Sequence, residues 1–219
     1  MLTQIKNNWL IPVGLLILSF IPISAGIFRV VQLGFGAVIA EENARFFAAP
    51  LPVVLHIVSS SLFCTLGVAQ FCSDFRREHL NLHRLFGRVL IPIGLAASIS
   101  GLWMTLYYPR ATVNFDGPVL YGVRLMVGLG MSLFLVFGLI AARRQKFANH
   151  RAWMTRAFAL GLGAGTQVFT HIPLFVFPSL WGETSRALCM IAGWSINIAV
   201  AEWILILHRR RSAFFQQLS

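Results

Sequence analysis

Long apolar segments alternate with short charged connections along the whole chain. Six segments of about 15 to 28 residues contain no Asp, Glu, Lys or Arg. A helix that crosses the hydrocarbon core of a bilayer needs about 20 predominantly apolar residues, and the two shorter segments reach this length when one flanking charged residue is included. The uncharged segments are Asn7–Phe28, Phe46–Ser73, Val89–Pro109, Leu125–Ala142, Ala157–Gly182 and Ala187–Ala201.

This pattern predicts an all-α, polytopic integral membrane protein, with a bundle of six transmembrane helices that forms one transmembrane domain over residues 1–219. The first segment has the basic start of a secretory signal, but its 22 uncharged residues exceed the roughly 7–15 of such a core. We therefore take it as the first transmembrane helix. The predicted helices cover residues 9–30, 48–72, 86–108, 118–142, 153–177 and 186–207.

The composition excludes an ordinary soluble domain. Hydrophobic residues make up 57% of the chain, charged residues 11%, and the mean hydropathy is +0.74, whereas soluble domains contain about 25% charged residues. The sequence also lacks a P-loop, a GxSxG motif and an HExxH motif, so hydrolysis of a soluble substrate is not expected.

The net charge of +11 would suggest a nucleic-acid partner in a soluble protein. Here the position of the charge gives a different explanation. If the amino terminus is cytoplasmic, 13 of the 18 Lys and Arg residues lie on the cytoplasmic side, which is the positive-inside pattern of membrane proteins. We therefore expect both termini in the cytoplasm, anionic lipid headgroups as partners at that face, and no nucleic acid.

One motif occurs twice, each time where a predicted helix starts at the cytoplasmic surface. HRLFGR begins at His83, and HRAWMTR begins at His150, 67 residues later. The repetition indicates either a duplicated helical hairpin or two basic clusters that face one charged partner. The arginines expected to contact lipid phosphate at this surface are Arg84, Arg88 and Arg151.

Three ionisable residues lie at similar depth near the outer side of the predicted bundle: His56, Arg124 and His171. Ionisable groups at membrane depth are costly, and they usually mark functional positions. Facing histidines on two helices are a common way to hold a haem iron or another metal ion, and an arginine suits a haem propionate. The sequence therefore predicts His56 and His171 as metal ligands, with Arg124 beside a propionate.

A second histidine pair, His83 and His150, lies near the cytoplasmic surface on the third and fifth predicted helices. His150 and His171 are 21 residues apart, or about 31 Å along a helix, which spans the hydrocarbon core. Two haems at these depths would pass an electron across the membrane. Histidines beside arginines at the water boundary more often bind lipid phosphate or cap helices, and we favour that interpretation for this pair.

Glu202 lies in the sixth predicted helix, at a depth comparable with that of Arg156 in the fifth. An ion pair would satisfy both charges within the membrane. We therefore predict a structural ion pair between Arg156 and Glu202, with a proton relay as the alternative.

The motifs together resemble the bacterial membrane-protein family known as domain of unknown function 2306. The resemblance rests on LHIVSS, LHRLFGR and HRAWMTRAFAL, which follow one another over the second to fifth predicted helices, about half of the chain. It implies a multi-pass protein of the bacterial inner membrane. The residues that carry it are His56, His83, Arg84, Gly87, Arg88, His150, Arg151, Trp153, Met154 and Arg156.

The layout is also similar, more loosely, to transmembrane di-haem b-type cytochromes, whose bundles hold histidine pairs near each face. Those proteins usually distribute their ligands over four helices, whereas His150 and His171 share one predicted helix here. This departure weakens the case for an inner haem.

Three functional hypotheses follow. The first is a redox protein that binds b-type haem through His56 and His171 and takes electrons from a quinol or a redox partner. The second is a non-redox binding or transport protein, in which the same groups line an outward-facing cavity for an anion, a lipid headgroup or a metal ion. The third is a structural partner of another membrane complex.

Overall fold

The computed structural model describes residues 10–110 and 112–217, and within them every regular element is helical. The predicted start of the first helix, residue 9, lies outside the described residues. Ten α-helices follow one another, namely Leu10–Phe35 (α1), Ala44–Ala48 (α2), Pro50–Gly67 (α3), Ser73–Glu78 (α4), Leu80–Tyr107 (α5), Pro118–Arg143 (α6), Phe147–Gly161 (α7), Gly163–Thr170 (α8), Ile172–Val176 (α9) and Glu183–Gln217 (α10).

Five helices of the described chain are long and apolar enough to cross a bilayer. The helix α7 and the segment formed by α8 and α9 are bent relative to each other, and together they would make a sixth crossing. Large apolar side chains cover the outside of the bundle. Phe20 and Ile17 on α1, for example, are 69% and 66% exposed. Such a surface is unfavourable in water and is suited to lipid. The chain is therefore a multi-pass membrane protein.

Several helices extend further into the polar segments than the hydropathy predicted. α5 begins at residue 80 instead of 86, α7 begins at 147 instead of 153, and α10 continues to 217 instead of 207. Hydropathy marks only the part of a helix that lies in hydrocarbon, while backbone hydrogen bonding continues into polar sequence that still favours helix. His83 and His150 consequently lie in the first turns of α5 and α7.

The predicted fifth helix is divided into α7, α8 and α9, with a bend of 46° between Phe147–Gly161 and Gly163–Val176. Leu162 stands at the break, between Gly161 and Gly163. Glycine has low helix propensity, so this sequence makes the interruption inexpensive. Hydropathy cannot reveal the break because the segment stays uncharged throughout.

Side chains of neighbouring helices satisfy carbonyl groups that the break leaves free. The Nδ2 group of Asn197 donates to the carbonyl oxygen of Ala159 at 3.0 Å, and the Oδ1 atom of Asn197 accepts from Thr166 at 2.6 Å. The thiol of Cys64 on α3 lies 3.6 Å from the carbonyl oxygen of Gly161. Without water, each backbone polar group needs such a partner, so these contacts make the break tolerable in a membrane.

The helix α7 occupies the centre of the bundle. It packs against α3, α6 and α10, whereas its continuation α8 packs against α1 and α10. The core around α7 contains Phe158, whose ring lies 5.6 Å from that of Phe63 and 4.5 Å from that of Phe71. The bend therefore directs the two halves of this span towards different neighbours.

The connections of the bundle gather at two ends. The Asp116 end contains the connections from α1 to α3, from α5 to α6 and from α9 to α10. The HR end contains those from α3 to α5 and from α6 to α7, with both HR motifs. Each end brings together residues that are far apart in the sequence.

Candidate functional site

Asp116 lies at the centre of three arginines that come from three different helices. Its Oδ2 atom is 3.0 Å from Nη1 of Arg45 on α2. Its Oδ1 atom is 3.1 Å from Nη2 of Arg124 on α6 and 2.6 Å from Nη1 of Arg186 on α10. We call these four residues the Asp116 cluster. The cluster joins the α1–α3 connection, the α5–α6 connection and the start of α10.

The chain before Asp116 takes a turn that directs this carboxylate into the cluster. Phe115 has a φ of 53°, in the left-handed region that non-glycine residues seldom adopt. Its ring stacks on Trp181, with 6.1 Å between the ring centroids. Arg186 donates a second hydrogen bond to the carbonyl oxygen of Asn114. These contacts hold the α5–α6 connection against the start of α10.

The Asp116 cluster contains three cations and one anion, and all four side chains are largely covered. Asp116 is 5% exposed, and Arg45, Arg124 and Arg186 are 16%, 28% and 18% exposed. The Nε group of Arg45 is buried and has no hydrogen-bond partner among the described residues. The cluster therefore carries an excess of two positive charges and one unused donor.

A small cavity of about 30 Å³ adjoins the cluster. Arg110, at its edge, lies over the ring of Tyr121 at 4.6 Å, and the Glu183 carboxylate lies beside Gly117. Because these two residues add one charge of each sign, the local excess of two positive charges is unchanged. The cavity walls include Arg45, Met104, Tyr108, Asp116, Tyr121 and Arg124.

The environment of Asp116 changes its proton affinity. Burial by itself raises the pKa of this carboxyl, but hydrogen bonds from Arg186 and Arg45 and the charges of Arg124 and Arg186 outweigh burial. The net effect lowers the pKa from its usual 3.8 to about 2. Asp116 is therefore ionised over the whole physiological pH range.

The stability of the protein is expected to fall in acid because of Asp116. Its pKa is lower in the folded than in the unfolded state, so its contribution is complete above about pH 4 and is lost as the pH falls towards 2. The expected loss in the free energy of unfolding is about 2 kcal/mol, because each unit by which the pKa is lowered corresponds to about 1.4 kcal/mol. Thermal unfolding in detergent from pH 5 to pH 2 measures it, and Asp116→Asn should flatten the profile. Identical profiles for the two proteins would contradict this assignment.

His56 on α3 is directed towards α5. Its Nδ1 atom lies 2.8 Å from the carbonyl oxygen of Ala97 and 3.4 Å from the hydroxyl of Ser100. Gly101 leaves room for the ring, because a Cβ atom at that position would lie 3.3 Å from Cε1 of His56. The backbone contact fixes the ring and leaves its Nε2 atom for another partner.

His171 stands between α8 and α9. Its Nδ1 atom lies 2.7 Å from the carbonyl oxygen of Gln167, and its ring centroid is 6.5 Å from that of Trp181. The helices that pack most against α8 are α10 and α1, whereas α3, which carries His56, packs mainly against α5 and α1. Each histidine therefore has its own backbone partner at Nδ1.

Arg124 has a partner within the protein that the sequence analysis did not predict. The sequence suggested a haem propionate, but the guanidinium contacts the carboxylate of Asp116, 3.1 Å away. The reason is that the α5–α6 connection folds back over the end of α6, which a count of residues along the helix cannot show.

The two HR motifs meet at the HR end. The imidazole of His83 interacts electrostatically with His150, Arg76 and Arg84, and Arg151 interacts in the same way with Arg76. We call these five residues the HR cluster. His83 and Arg84 lie at the start of α5, and His150 and Arg151 at the start of α7, so the repeated motif lies at one end of the bundle.

Arg156 and Glu202 form a two-pronged ion pair within the bundle. Nε of Arg156 lies 2.5 Å from Oε1 of Glu202, and Nη2 lies 2.9 Å from Oε2. The guanidinium also lies over the ring of Trp153, at 5.1 Å from its centroid. The pair links α7 to α10 on the HR side of the helix break.

A double-mutant cycle should detect coupling between Arg156 and Glu202. Arg156→Gln and Glu202→Gln each leave one charge without its partner in a membrane environment, so each is expected to lower the free energy of unfolding. The double variant should recover part of that loss, with a coupling energy of about 1–2 kcal/mol. Chemical unfolding of the four proteins in detergent measures it. Additive losses would mean that the contact contributes nothing specific.

The sequence analysis did not identify Asp116, Arg45 or Arg186 as site residues. One signal was available, since Asp116 is the single acidic residue between Glu78 and Glu183. An isolated carboxylate in a chain with many arginines is a candidate centre for ion pairs. Its three partners lie up to 71 positions away in the sequence, so only the fold identifies them.

Comparison with known proteins identifies a family. A family described as a predicted membrane protein matches residues 53–205, which is more than half of the chain. The match starts in α3 and ends in α10, so it extends beyond the four helices that carry the motifs quoted above. No curated protein and no solved structure matches the chain. The similarity to di-haem cytochromes therefore receives no support from these comparisons.

Proposed function

This chain belongs to the DUF2306 family of predicted membrane proteins, and we propose that it binds an anionic group, a phosphate or a carboxylate, at its Asp116 end. We further propose that it lies in the bacterial inner membrane with six spans and both termini in the cytoplasm. The positive-inside rule supports this orientation, because 13 of 18 basic residues then face the cytoplasm. The Asp116 end is consequently the outer end.

The observation that carries the proposal is the charge imbalance of the Asp116 cluster. Three largely covered guanidinium groups share one carboxylate, and the Nε donor of Arg45 is unused within the described chain. Covered charges without partners are costly near a membrane, and a bound anion would reduce that cost. Guanidinium groups also match the oxygen geometry of carboxylate and phosphate.

The same charge imbalance disfavours a metal ion at this position. Metal cations are bound by carboxylates, imidazoles and thiolates, whereas the arginines of the cluster repel them. The described residues contain no group of three His, Cys, Asp or Glu side chains that is suited to a metal. Of the ligand classes considered for an outward-facing cavity, the anionic one therefore has the best support.

An anion titration of the purified protein tests the proposal. The full chain in neutral detergent is titrated with inorganic phosphate and with acetate, and thermal unfolding is followed. A ligand of the folded state raises the melting temperature as its concentration exceeds the Kd. We expect stabilisation in the parent protein and at least tenfold weaker apparent affinity in Arg124→Gln and Arg45→Gln.

Arg29→Gln is the matched control, because Arg29 is an arginine on α1 that lies over the ring of Phe46 at 5.0 Å and does not belong to the cluster. It should bind the anion as the parent does. Equal weakening in Arg29→Gln and Arg124→Gln, or no stabilisation by either anion, would refute the proposed site. Uptake of the bound anion into proteoliposomes then separates transport from binding.

A second proposal retains b-type haem, with electrons from a quinol or another redox partner. What favours it is the orientation of His56 and His171, because a backbone carbonyl holds Nδ1 of each ring and leaves Nε2 for iron. An oxidised and a dithionite-reduced visible spectrum of the purified protein tests it. A b-type band that disappears in His56→Ala supports the haem, and a blank spectrum after expression with ample haem excludes it.

A further inference from the structure

We propose that the HR cluster, at the opposite end from Asp116, is a binding site for a phosphate group. The phosphate would belong either to an anionic lipid headgroup or to a free solute. This site is independent of the proposed anion site, since it involves other helices and other residues: His83, Arg84 and Arg76 next to His150 and Arg151.

The two histidines present free nitrogen atoms in this cluster. Nδ1 of His150 lies 2.8 Å from the carbonyl oxygen of Gly138 on α6, which fixes the ring and leaves Nε2 available. Nδ1 of His83 is buried and has no hydrogen-bond partner among the described residues. A buried polar atom without a partner is uncommon in a folded protein, so a ligand atom is the natural complement.

The charges around the two rings select an anion. Arg76 is half-buried, and Arg84 and Arg151 are exposed at the mouth of the cluster. The carboxylates of Asp74 and Glu78, on the neighbouring α4, contact Arg77 at 3.5 and 3.4 Å. The three guanidinium groups repel a metal cation. They offer a phosphate both charge and hydrogen bonds, and the two imidazoles can add further hydrogen bonds.

The helices add to this preference. The cluster lies in the first turns of α5 and α7, which are 28 and 15 residues long, and neither helix has a side-chain hydrogen bond at its N-cap. Free N–H groups and the positive end of the helix dipole both favour an anion at such a position. The unpartnered Nδ1 atom of His83 distinguishes this cluster from general surface basicity, to which exposed arginines such as Arg88 and Arg144 contribute.

The test uses the full chain in neutral detergent with three additions: inorganic phosphate, phosphatidylglycerol, and phosphatidylcholine as the uncharged control lipid. Thermal unfolding gives the apparent affinity, and native mass spectrometry counts retained lipid. We expect phosphate or phosphatidylglycerol to raise the melting temperature by several degrees, and Arg151→Gln, Arg84→Gln and His83→Gln each to weaken this effect at least fivefold. Arg144→Gln removes one exposed arginine outside the cluster and should leave it unchanged.

The outcomes separate the two sources of phosphate. Stabilisation by phosphatidylglycerol alone identifies a lipid headgroup, and stabilisation by inorganic phosphate identifies a solute site. Because the Asp116 cluster also attracts anions, each titration is repeated in Arg124→Gln, in which the HR-cluster effect should persist. The proposal is overturned if neither probe stabilises the protein, or if Arg144→Gln weakens binding as much as Arg151→Gln. The exposed arginine variants keep the test decisive should His83→Gln fail to fold.

Discussion

Asp116→Asn is expected to lower the free energy of unfolding by about 2–3 kcal/mol, because it removes at pH 7 the same negative charge that protonation removes in acid. The carboxylate is 5% exposed and contacts Arg45, Arg124 and Arg186 at 2.6 to 3.1 Å. An asparagine keeps the size of the side chain but removes the negative charge. Three guanidinium groups would then repel one another at the junction of α2, α6 and α10.

Chemical unfolding of the two proteins in the same detergent at pH 7 measures this loss. The matched control is Asp74→Asn, because Asp74 pairs with Arg77 at 3.5 Å at the other end of the bundle and is 38% exposed. Exposed pairs contribute little, so the control should change stability by less than about 1 kcal/mol. Similar effects of the two substitutions would mean that the Asp116 cluster is not the main electrostatic contact of the fold.

The same variant also connects stability to the proposed function. An anion that binds among the three arginines would take over part of the role of the missing carboxylate. We therefore expect added phosphate to stabilise Asp116→Asn more than it stabilises the parent protein. Equal stabilisation of both proteins would indicate that phosphate binds elsewhere.

Gly165→Val is expected to destabilise the protein by about 3 kcal/mol, at the upper end of the usual cost of overpacking. A Cβ atom on Gly165 would overlap the backbone oxygen of Leu18, and it would lie 2.8 Å from Cγ of the same residue. A side chain can rotate away from such a clash, but the backbone of α1 can only move as a whole. The contact between α1 and α8 would therefore open.

Gly122→Val provides the control for a glycine in a membrane helix. A Cβ atom on Gly122, in α6, would meet no other atom within 4 Å, so this substitution should leave the melting temperature within a few degrees of the parent. The melting temperature of Gly165→Ala should lie between those of Gly165→Val and Gly122→Val. If Gly165→Val unfolds at the temperature of Gly122→Val, close packing of α1 on α8 is not a source of stability.

The membrane character of the protein was accessible from the sequence because it depends on local composition. Uncharged runs long enough to cross hydrocarbon exist only where lipid replaces water, and α1, α3, α5 and α6 each lie largely within one of these runs, while α10 contains the shortest run and extends beyond it at both ends. The ends of the helices were less predictable. Hydropathy does not register the polar turns before His83 and His150, nor the break at Leu162, where glycines interrupt an apolar segment.

Some contacts of the candidate sites could also be predicted from the sequence, whereas others could not. Arg156 and Glu202 could be matched by depth, since each lies near the same end of its own span. In the structure, Nε of Arg156 lies 2.5 Å from Oε1 of Glu202. His56 and His171 were matched by the same argument, and their pairing stays a prediction, because depth gives no information on the direction in which a side chain points around its helix. Arg124 was placed at the correct end, but its partner comes from a connection that folds over it.

The sequence by itself determined that this chain is a helical membrane protein with basic segments at one end, because hydrophobicity and charge act residue by residue against lipid and water. The tertiary structure decided which charges meet. Asp116 gains its role from three arginines, 71, 8 and 70 positions away along the chain, and the HR motifs form one cluster because α5 and α7 both start at the same end of the bundle. Such encounters depend on the packing of whole helices, which no local pattern contains.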